Sequence, residues 1–553
     1  MSTSAPKPKS SPFAPLSEKV FRRIWTASIF ANLGQLILGV GVAWEMTRLT
    51  NSSTMVALVQ TAMMLPQMLA AQPAGAIADM YDRRKISISG LSATVFFAVV
   101  LCVLAFNGLT TPWMLLAFLV LIGLGIGFYY PAWSASIGEQ VKLEALPAAI
   151  ALNSISFNVA RSFGPAVGGL IVLAAGAKAA FAVTAVAYLP LIFALFLWKR
   201  EQIPSRLPRE TISRAIVSGL RYALHSSPVR IVLFRIFIFT FSSYTAIALA
   251  PLIAKDLLGG NASTYGILLG GVGVGAVIGA LLINVINEHF GAEKAATVAA
   301  IVSGLSLLGT GLSHSLYITC LMMFFSGGAM MVTVSLLNVT IQLSIPRWVI
   351  ARALALFSSL LTGGIAIGSW FWGSVADLWS IEVALIGAGI CMLLLPAVAL
   401  LARIPSTVNV GAEAVDLSNE PEVNLAINMR SGPVVIEIEY RVDPDNARLY
   451  YGAMQKMRRV RLRNGAFNWS ITRDIADPAL WIERFHLATW GDYLRMRDRS
   501  TQADINAQAE AEAFLMSGEA VRIRRGLERP FGSVRWKITT PDTKQDSPVY
   551  LGL

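Results

Sequence analysis

The chain of 553 residues is 55% hydrophobic and only 14% charged, with a mean hydropathy of +0.60. A water-facing surface needs more charge than that, so an ordinary soluble protein is excluded. The formal net charge of +12 reads as cationic membrane loops and not as a nucleic-acid surface.

Residues 1–19 form a polar N-terminal tail whose opening is Pro-rich, without a basic tip and short apolar core. That predicts no cleaved leader and makes the first span the insertion signal. Apolar runs of about 20 residues, enough to cross about 30 Å of hydrocarbon, then recur twelve times. Six fall within 20–198, at about 22–45, 54–78, 86–106, 112–134, 147–175 and 179–198. Six more fall within 229–403, at about 229–254, 263–287, 294–312, 315–343, 350–375 and 380–402. The polar linker between them, 199–228, contains TISRAIVSGLRYALHSS, whose apolar spacing predicts an interfacial amphipathic helix.

After Arg403 comes a polar linker, 404–432, and then a soluble domain, 433–553. Alternation predicts strands from Val434 to Val442, Phe467 to Asp474 and Leu480 to Thr489. Helices are expected from Asp445 to Arg463, Trp490 to Arg499 and Ala503 to Leu515, with a closing strand at Val534 to Thr539. The order βαββαβ predicts a ferredoxin-like α+β domain. The expected fold is thus an all-α membrane protein of twelve transmembrane helices in two six-helix bundles, carrying that domain at its C-terminal end.

Loops at one face carry Arg22, Arg23, Arg83, Arg84, Lys85, Lys142, Lys199, Lys294, Arg347 and Arg403, while the opposite face offers little beyond Arg48, Lys178 and Lys255. Cationic loops stay in the cytoplasm, which predicts a multi-pass protein of the cytoplasmic membrane with both termini and the soluble domain inside. Cys102, Cys320 and Cys391 lie singly inside apolar runs and the four histidines are scattered. No metal site, disulfide framework or cofactor is expected.

Two segments carry unusual chemistry. GAIADMYDRRK, from Gly75 to Lys85, spaces Gly75, Asp79 and Arg83 as G-x-x-x-D-x-x-x-R, followed by Arg84. A glycine there admits a neighbouring helix, expected to be the eleventh, and the carboxylate can hold that helix's end or pair with an Arg; the bland reading is a basic topology-setting loop. SFGPAVGGL, from Ser162 to Leu170, gives Gly164, Gly168 and Gly169 a smooth packing face while Pro165 removes a backbone donor and bends the helix. Gly364 and Gly368 echo it about 200 residues on, as expected of two related halves.

Arg161 is an intramembrane charge that needs water or a partner, and Asn153 and Asn158 share its face. They read as a substrate cavity, or alternatively as a permanent structural ion pair. Asn32, Gln35, Asn338 and Gln342 are amides too costly to leave against lipid and join the cavity set. Glu45, Glu139 and Asp377, at span ends, are candidates for proton coupling, each equally readable as a solvated end charge. Glu139 suits a relay with Arg83 or Arg84, and Glu45 suits exchange with the outside. In the tail, Arg458, Arg459, Arg461 and Arg463 either solvate a helix or meet lipid headgroups. His486, Trp490 and Tyr493 form no nucleophile and base pair, leaving a regulatory or self-associating role for this domain.

From about residue 20 to 403 the chain resembles the major facilitator superfamily, in particular its enterobactin-exporter-like branch, the transmembrane secretion effectors. The resemblance rests on ADMYDRRK, on ALNS at 151–154, on the Gly-Pro motif, and on the tail's WGDYLR helix from Trp490 to Arg495. It implies that the loop around Gly75, Asp79, Arg83 and Arg84 gates inward-facing and outward-facing exchange, together with Gly164, Pro165, Gly168 and Gly169. INVINEHFGAEKA, between the eighth and ninth spans, keeps no second copy of that loop. The implied activity is proton-coupled export of a medium-sized organic solute, such as a siderophore, antibiotic or lipophilic compound, and not enzymatic turnover. Rival readings are an importer or cation symporter on the same scaffold, and an enzyme tethered through the tail. No Gly-rich loop ends in Gly-Lys-Ser or Gly-Lys-Thr, which speaks against ATP-driven transport.

Overall fold

A computed structural model describes residues 13–142, 145–199, 220–221, 224–345, 350–401, 423–425, 427–498 and 500–528. They divide into two compact units, one of apolar helices and one built around a small sheet. The amphipathic linker helix expected within 199–228 lies mostly outside the described residues, as do most of 404–432 and the strand expected from Val534 to Thr539.

In the helical unit the chain forms α1 (Lys19–Leu49), α2 (Ser53–Met80), α3 (Arg83–Phe106), α4 (Pro112–Ser136), α5 (Leu146–Ala187) and α6 (Leu189–Leu197). There follow α7 (Ser227–Ser243), α8 (Ala262–Leu312), α9 (Leu316–Leu343), α10 (Ile350–Leu378) and α11 (Ile381–Leu401). Among the described residues, ten helical stretches are long and apolar enough to cross a membrane, and Ile381–Ala397 is a shorter apolar helix. Polar side chains start them. Ser52 accepts from Met55 N, Thr111 accepts from Met114 N ahead of Pro112, and Asn261 with Thr264 closes a capping box on α8.

Two long helices are broken at a single glycine. Gly176 in α5 has φ +76 and Gly291 in α8 has φ +72, a left-handed conformation that reverses the chain at little cost only without a Cβ. These breaks fall where the hydropathy pattern separates its fifth span from its sixth and its eighth from its ninth. The end of α7 is irregular, passing through Thr245–Ala248, Ala250–Leu252 and a π turn at Ile253–Leu257.

In the second unit a four-stranded sheet has the order β2-β3-β1-β4, from β1 (Val434–Arg441), β2 (Phe467–Arg473), β3 (Leu480–Leu487) and β4 (Arg522–Leu527), every pairing antiparallel. Helix α12 (Ala447–Arg463) links β1 to β2, and α13 (Trp490–Asp498) with α14 (Gln502–Glu512) links β3 to β4. The last strand among the described residues is Arg522–Leu527, a strand the sequence pattern does not predict. Its residues RIRRGL lack the apolar alternation of a buried strand because this edge is exposed from Arg522 to Gly526.

Val434, Ile436, Ile438 and Tyr440 alternate along β1 into a core with Tyr450, Met454 and Met457 of α12. At its centre Glu483, fully buried, accepts from Arg461 at 3.1 Å, Trp469 Nε1 at 2.9 Å and Tyr440 Oη at 3.2 Å. Burial alone would pull the Arg461 guanidinium down, but Glu483 beside it holds the group above its ordinary value. Arg461 is thus a core ion-pair partner, whereas Arg458 lies against the Trp469 ring and Arg463 pairs with Asp504. Arg221, from the segment between the helical halves, donates to the Gly465 carbonyl at 3.1 Å.

Candidate functional site

The Gly-Pro segment of α5 is a wedge. A Cβ on Gly164 would meet Leu36 at 2.9 Å, and one on Gly168 would meet the Ile37 backbone at 3.2 Å, so both glycines seat α5 on α1. A Cβ on Gly169 would come within 2.7 Å of the Gly266 backbone, so the same turn presses α5 against α8 of the other half. The echo in α10 does the equivalent job: Gly364 and Gly368 abut the backbone of Phe237 and Phe241 in α7. Each half's fifth span therefore grips its first through two glycines four residues apart.

Between the halves lies a cavity of about 110 Å³, lined by Gln35 of α1, Gln60 of α2, Pro165 of α5, Tyr265 of α8 and Tyr244 after α7. Of the expected cavity residues, Gln35 lines it. Asn32 is half-buried and donates to Ser156 Oγ at 3.3 Å, tying α1 to α5. Asn153 is half-buried on α5, Asn338 is half-buried on α9 and Gln342 is exposed near the end of α9. Asn158 and Arg161 stand on α5, but their side chains lie outside the described residues. Gln60, Tyr244 and Tyr265 escape a search for charges and listable motifs; a rule flagging every amide and phenol inside an apolar run would find them. Tyr265 also stacks on Trp44 at 6.3 Å.

At one end of this cavity charged side chains of the second half meet helix ends of the first. Lys255 donates to the Thr47 carbonyl at 3.1 Å, near the C-terminal end of α1. Asp377, at the end of α10, accepts from Ser53 N and Ser52 Oγ at 2.9 Å and from Thr54 Oγ1 at 3.1 Å, the N-terminal turn of α2. Each charge has the sign that the helix end attracts, a cation at exposed carbonyls and an anion at exposed amides. Thr61 Oγ1 to the Ala366 carbonyl at 2.7 Å continues the α2–α10 contact inward. Glu45 instead pairs with exposed Arg48 on its own helix at 3.1 Å.

The other end, where Arg83 to Lys85 lie, is built differently. Arg83 donates to Glu139 at 3.0 Å and to the Ala78 carbonyl at 3.2 Å, joining the ends of α2 and α4. Arg84 takes a separate task, donating to the Leu195 carbonyl at 2.9 Å and the Phe196 carbonyl at 2.6 Å at the end of α6. Of the two arginines expected beside Glu139, Arg83 forms an ion pair with it and Arg84 turns to the end of α6. Among the described residues a Cβ on Gly75 would meet nothing within 4 Å. Asp79 is in the last turn of α2, its side chain outside the described residues. In the second half, Arg235 of α7, with only 6% of its side chain exposed, pairs with Glu293 just after the Gly291 break at 2.9 Å. This ion pair occupies the loop that had lost the gate motif, and its two residues are separated by 58 positions that no spacing rule connects.

Apolar helices long enough to cross a membrane many times, with a largely apolar cavity that carries two amides and two phenols between halves meeting through glycine faces and charged helix ends, define a multi-pass membrane transporter. A family model described as transmembrane secretion effector matches residues 10–531. The chain belongs to that family, whose fold is of the major facilitator type. The enterobactin exporter EntS of Escherichia coli is 26% identical over 405 residues, covering 69% of this chain and 91% of the exporter. The staphyloferrin A transporter of Staphylococcus aureus is 24% identical over 293 residues, covering 52% and 72%. Among solved structures, an inward-facing bacterial homologue of the lysosomal transporter Spinster superposes with a TM-score of 0.54 at 14% identity, covering 72% of this chain and 96% of that one. The nucleoside transporter NupG does so with 0.56 at 11%, covering 69% and 98%. The family and these relatives are transporters and not enzymes, which sets the tethered-enzyme reading aside.

Proposed function

We propose that this protein is a proton-coupled secondary exporter of the cytoplasmic membrane, moving a medium-sized organic solute by alternating access. A siderophore is the leading class, by analogy with what the names of its enterobactin and staphyloferrin A relatives say of them; an antibiotic or other lipophilic compound fits the same scaffold. On this reading the helical unit is twelve transmembrane helices in two bundles of six, with Gly176 and Gly291 as turns between successive spans. Both termini are cytoplasmic, and the strand order β2-β3-β1-β4 is that of a ferredoxin-like domain with a regulatory or self-associating role.

The observation that carries the reading is the asymmetry of the cavity's two ends: Lys255 and Asp377 tie the halves together at one, while at the other a Cβ on Gly75 would meet no described residue within 4 Å. A carrier that opens to one compartment at a time needs a seal that can be broken. Asp377 is the best-placed coupling carboxylate, since protonation removes the anion that the α2 N-terminus attracts. Glu45 and Glu139 are the other two proposed titrating groups, and Asn153, Asn158 and Arg161 the proposed anchor for an acidic or carbonyl-rich solute.

Transport in inside-out vesicles tests this. The expected result is solute uptake driven by an acidic lumen, abolished by a protonophore and reduced by Arg161→Ala. Uptake confined to right-side-out vesicles would replace the exporter by an importer or cation symporter.

A further inference from the structure

The sheet domain has a cavity of about 340 Å³ at the edge of its core, outside the transport path proposed above. It lies within the roughly 300–1,000 Å³ range of small-molecule sites. Its apolar lining is backed by the buried Ile436, Ile438, Phe485, Met457 and Met496 of the core, with Ile523 at its exposed edge. Thioether side chains adapt to irregular ligands better than branched ones. Ile523 is 40% exposed although it pairs with buried Ile438 on the helix-facing side of the sheet, so an apolar body has a place to sit there.

Two of the charged side chains lining this cleft are already paired, Arg461 with Glu483 and Asp504 with Arg463, while Glu512 keeps its charge and accepts from the neutral Gln508 at 2.8 Å. Arg525 projects from β4 into the cleft, donating Nε to Tyr493 Oη at 2.8 Å. Among the described residues Tyr493 is its only partner, through that bond and its ring at 5.8 Å. The buried Tyr493 thus aims a guanidinium whose two terminal nitrogens remain for an anion, the fork geometry that suits a carboxylate.

We propose that this cleft between β4, α13 and α14 binds an amphipathic organic anion, an apolar aromatic or branched body on the apolar lining with its carboxylate, sulfonate or phenolate on Arg525. The site is carried wholly by the soluble unit and is separate from the cavity between the helical halves. It gives the protein a means of reading a solute without transporting it.

The test uses the full chain in phosphatidylcholine nanodiscs with 2-naphthoate as probe, empty discs as blank, and titration calorimetry as readout. One equivalent should bind. Arg525→Gln, Ile523→Asp and replacement of the probe by neutral 2-naphthylmethanol should each weaken binding about tenfold or more. Both substituted residues are exposed on an edge strand, and an unchanged thermal midpoint checks that the variants fold. Wild-type affinity in both variants, or equal affinity for the alcohol, overturns the proposal. Loss of naphthoate binding when phosphatidylglycerol is added to the discs also overturns it, in favour of a lipid headgroup; unchanged affinity there supports a free solute.

Discussion

The two ends of the helical unit hold different things together. Where Arg83, Arg84 and Arg235 lie, ion pairs and helix-end contacts within one half stand out: Arg83 with Glu139, Arg84 with the end of α6 and Arg235 with Glu293, with Ser359 Oγ to the Met68 carbonyl at 3.4 Å crossing between halves further in. At the far end the polar contacts run between halves, from Lys255 to α1 and from Asp377 to α2. On the alternating-access reading proposed above, one end makes each half a rigid body and the other decides whether the rigid bodies are closed. Charges spent on backbone groups at helix ends suit the second task, because they are worth only about 0.3–2 kcal/mol each and can be made and broken in a cycle.

That division can be broken at its tightest point first. Gly169→Leu drives a side chain into the Gly266 backbone, an overpacking cost of about 1–3 kcal/mol that falls on the contact between halves. Transport in vesicles should be lost while the protein still folds, and retained transport would mean that α5 and α8 need not close. Glu293→Ala removes an acid from the buried Arg235, at a cost of order 3 kcal/mol to the second half. It should lower the thermal midpoint by several degrees, and a neutral midpoint would show that this pair does not rigidify its half.

Much of this architecture is legible in the sequence. Hydropathy marks the helices because each must bury its backbone polar groups in lipid, and Gly164 and Gly168 announce a close contact because only small residues permit one. Helix ends are another matter. Thr47, Ser53 and Leu195 act through backbone groups that carry no residue-type signature, so the partners of Lys255, Asp377 and Arg84 appear only in three dimensions. Tyr244 and Tyr265 hide because a phenol scores as apolar within an apolar run. In the sheet domain β4 escapes the sequence pattern because an exposed edge strand needs no apolar alternation.

Smaller effects sharpen the comparison. Asp377→Asn and Lys255→Met should each favour the state open at the far end by about 1 kcal/mol, several-fold in population, seen as faster labelling of a cysteine placed at Gly39 in the cavity wall. Unaltered labelling in both would remove these contacts from the seal. Arg83→Ala should cost less than about 1 kcal/mol of stability, since its pair with Glu139 is partly solvated. Its signature is a slower transport rate with an unchanged midpoint, and a collapse of stability would show that the loop is a structural clamp instead of a gate.

Electron–electron spin resonance distances decide the central point, using one label pair across α2 and α10 near Ser52 and Asp377 and a second pair near Gly75 and Arg352, in the full chain in nanodiscs. In the Lys255→Met, Asp377→Asn double variant the account predicts a longer distance at the first pair and a shorter one at the second. Distances that stay fixed at both pairs, or lengthen at both, would contradict it.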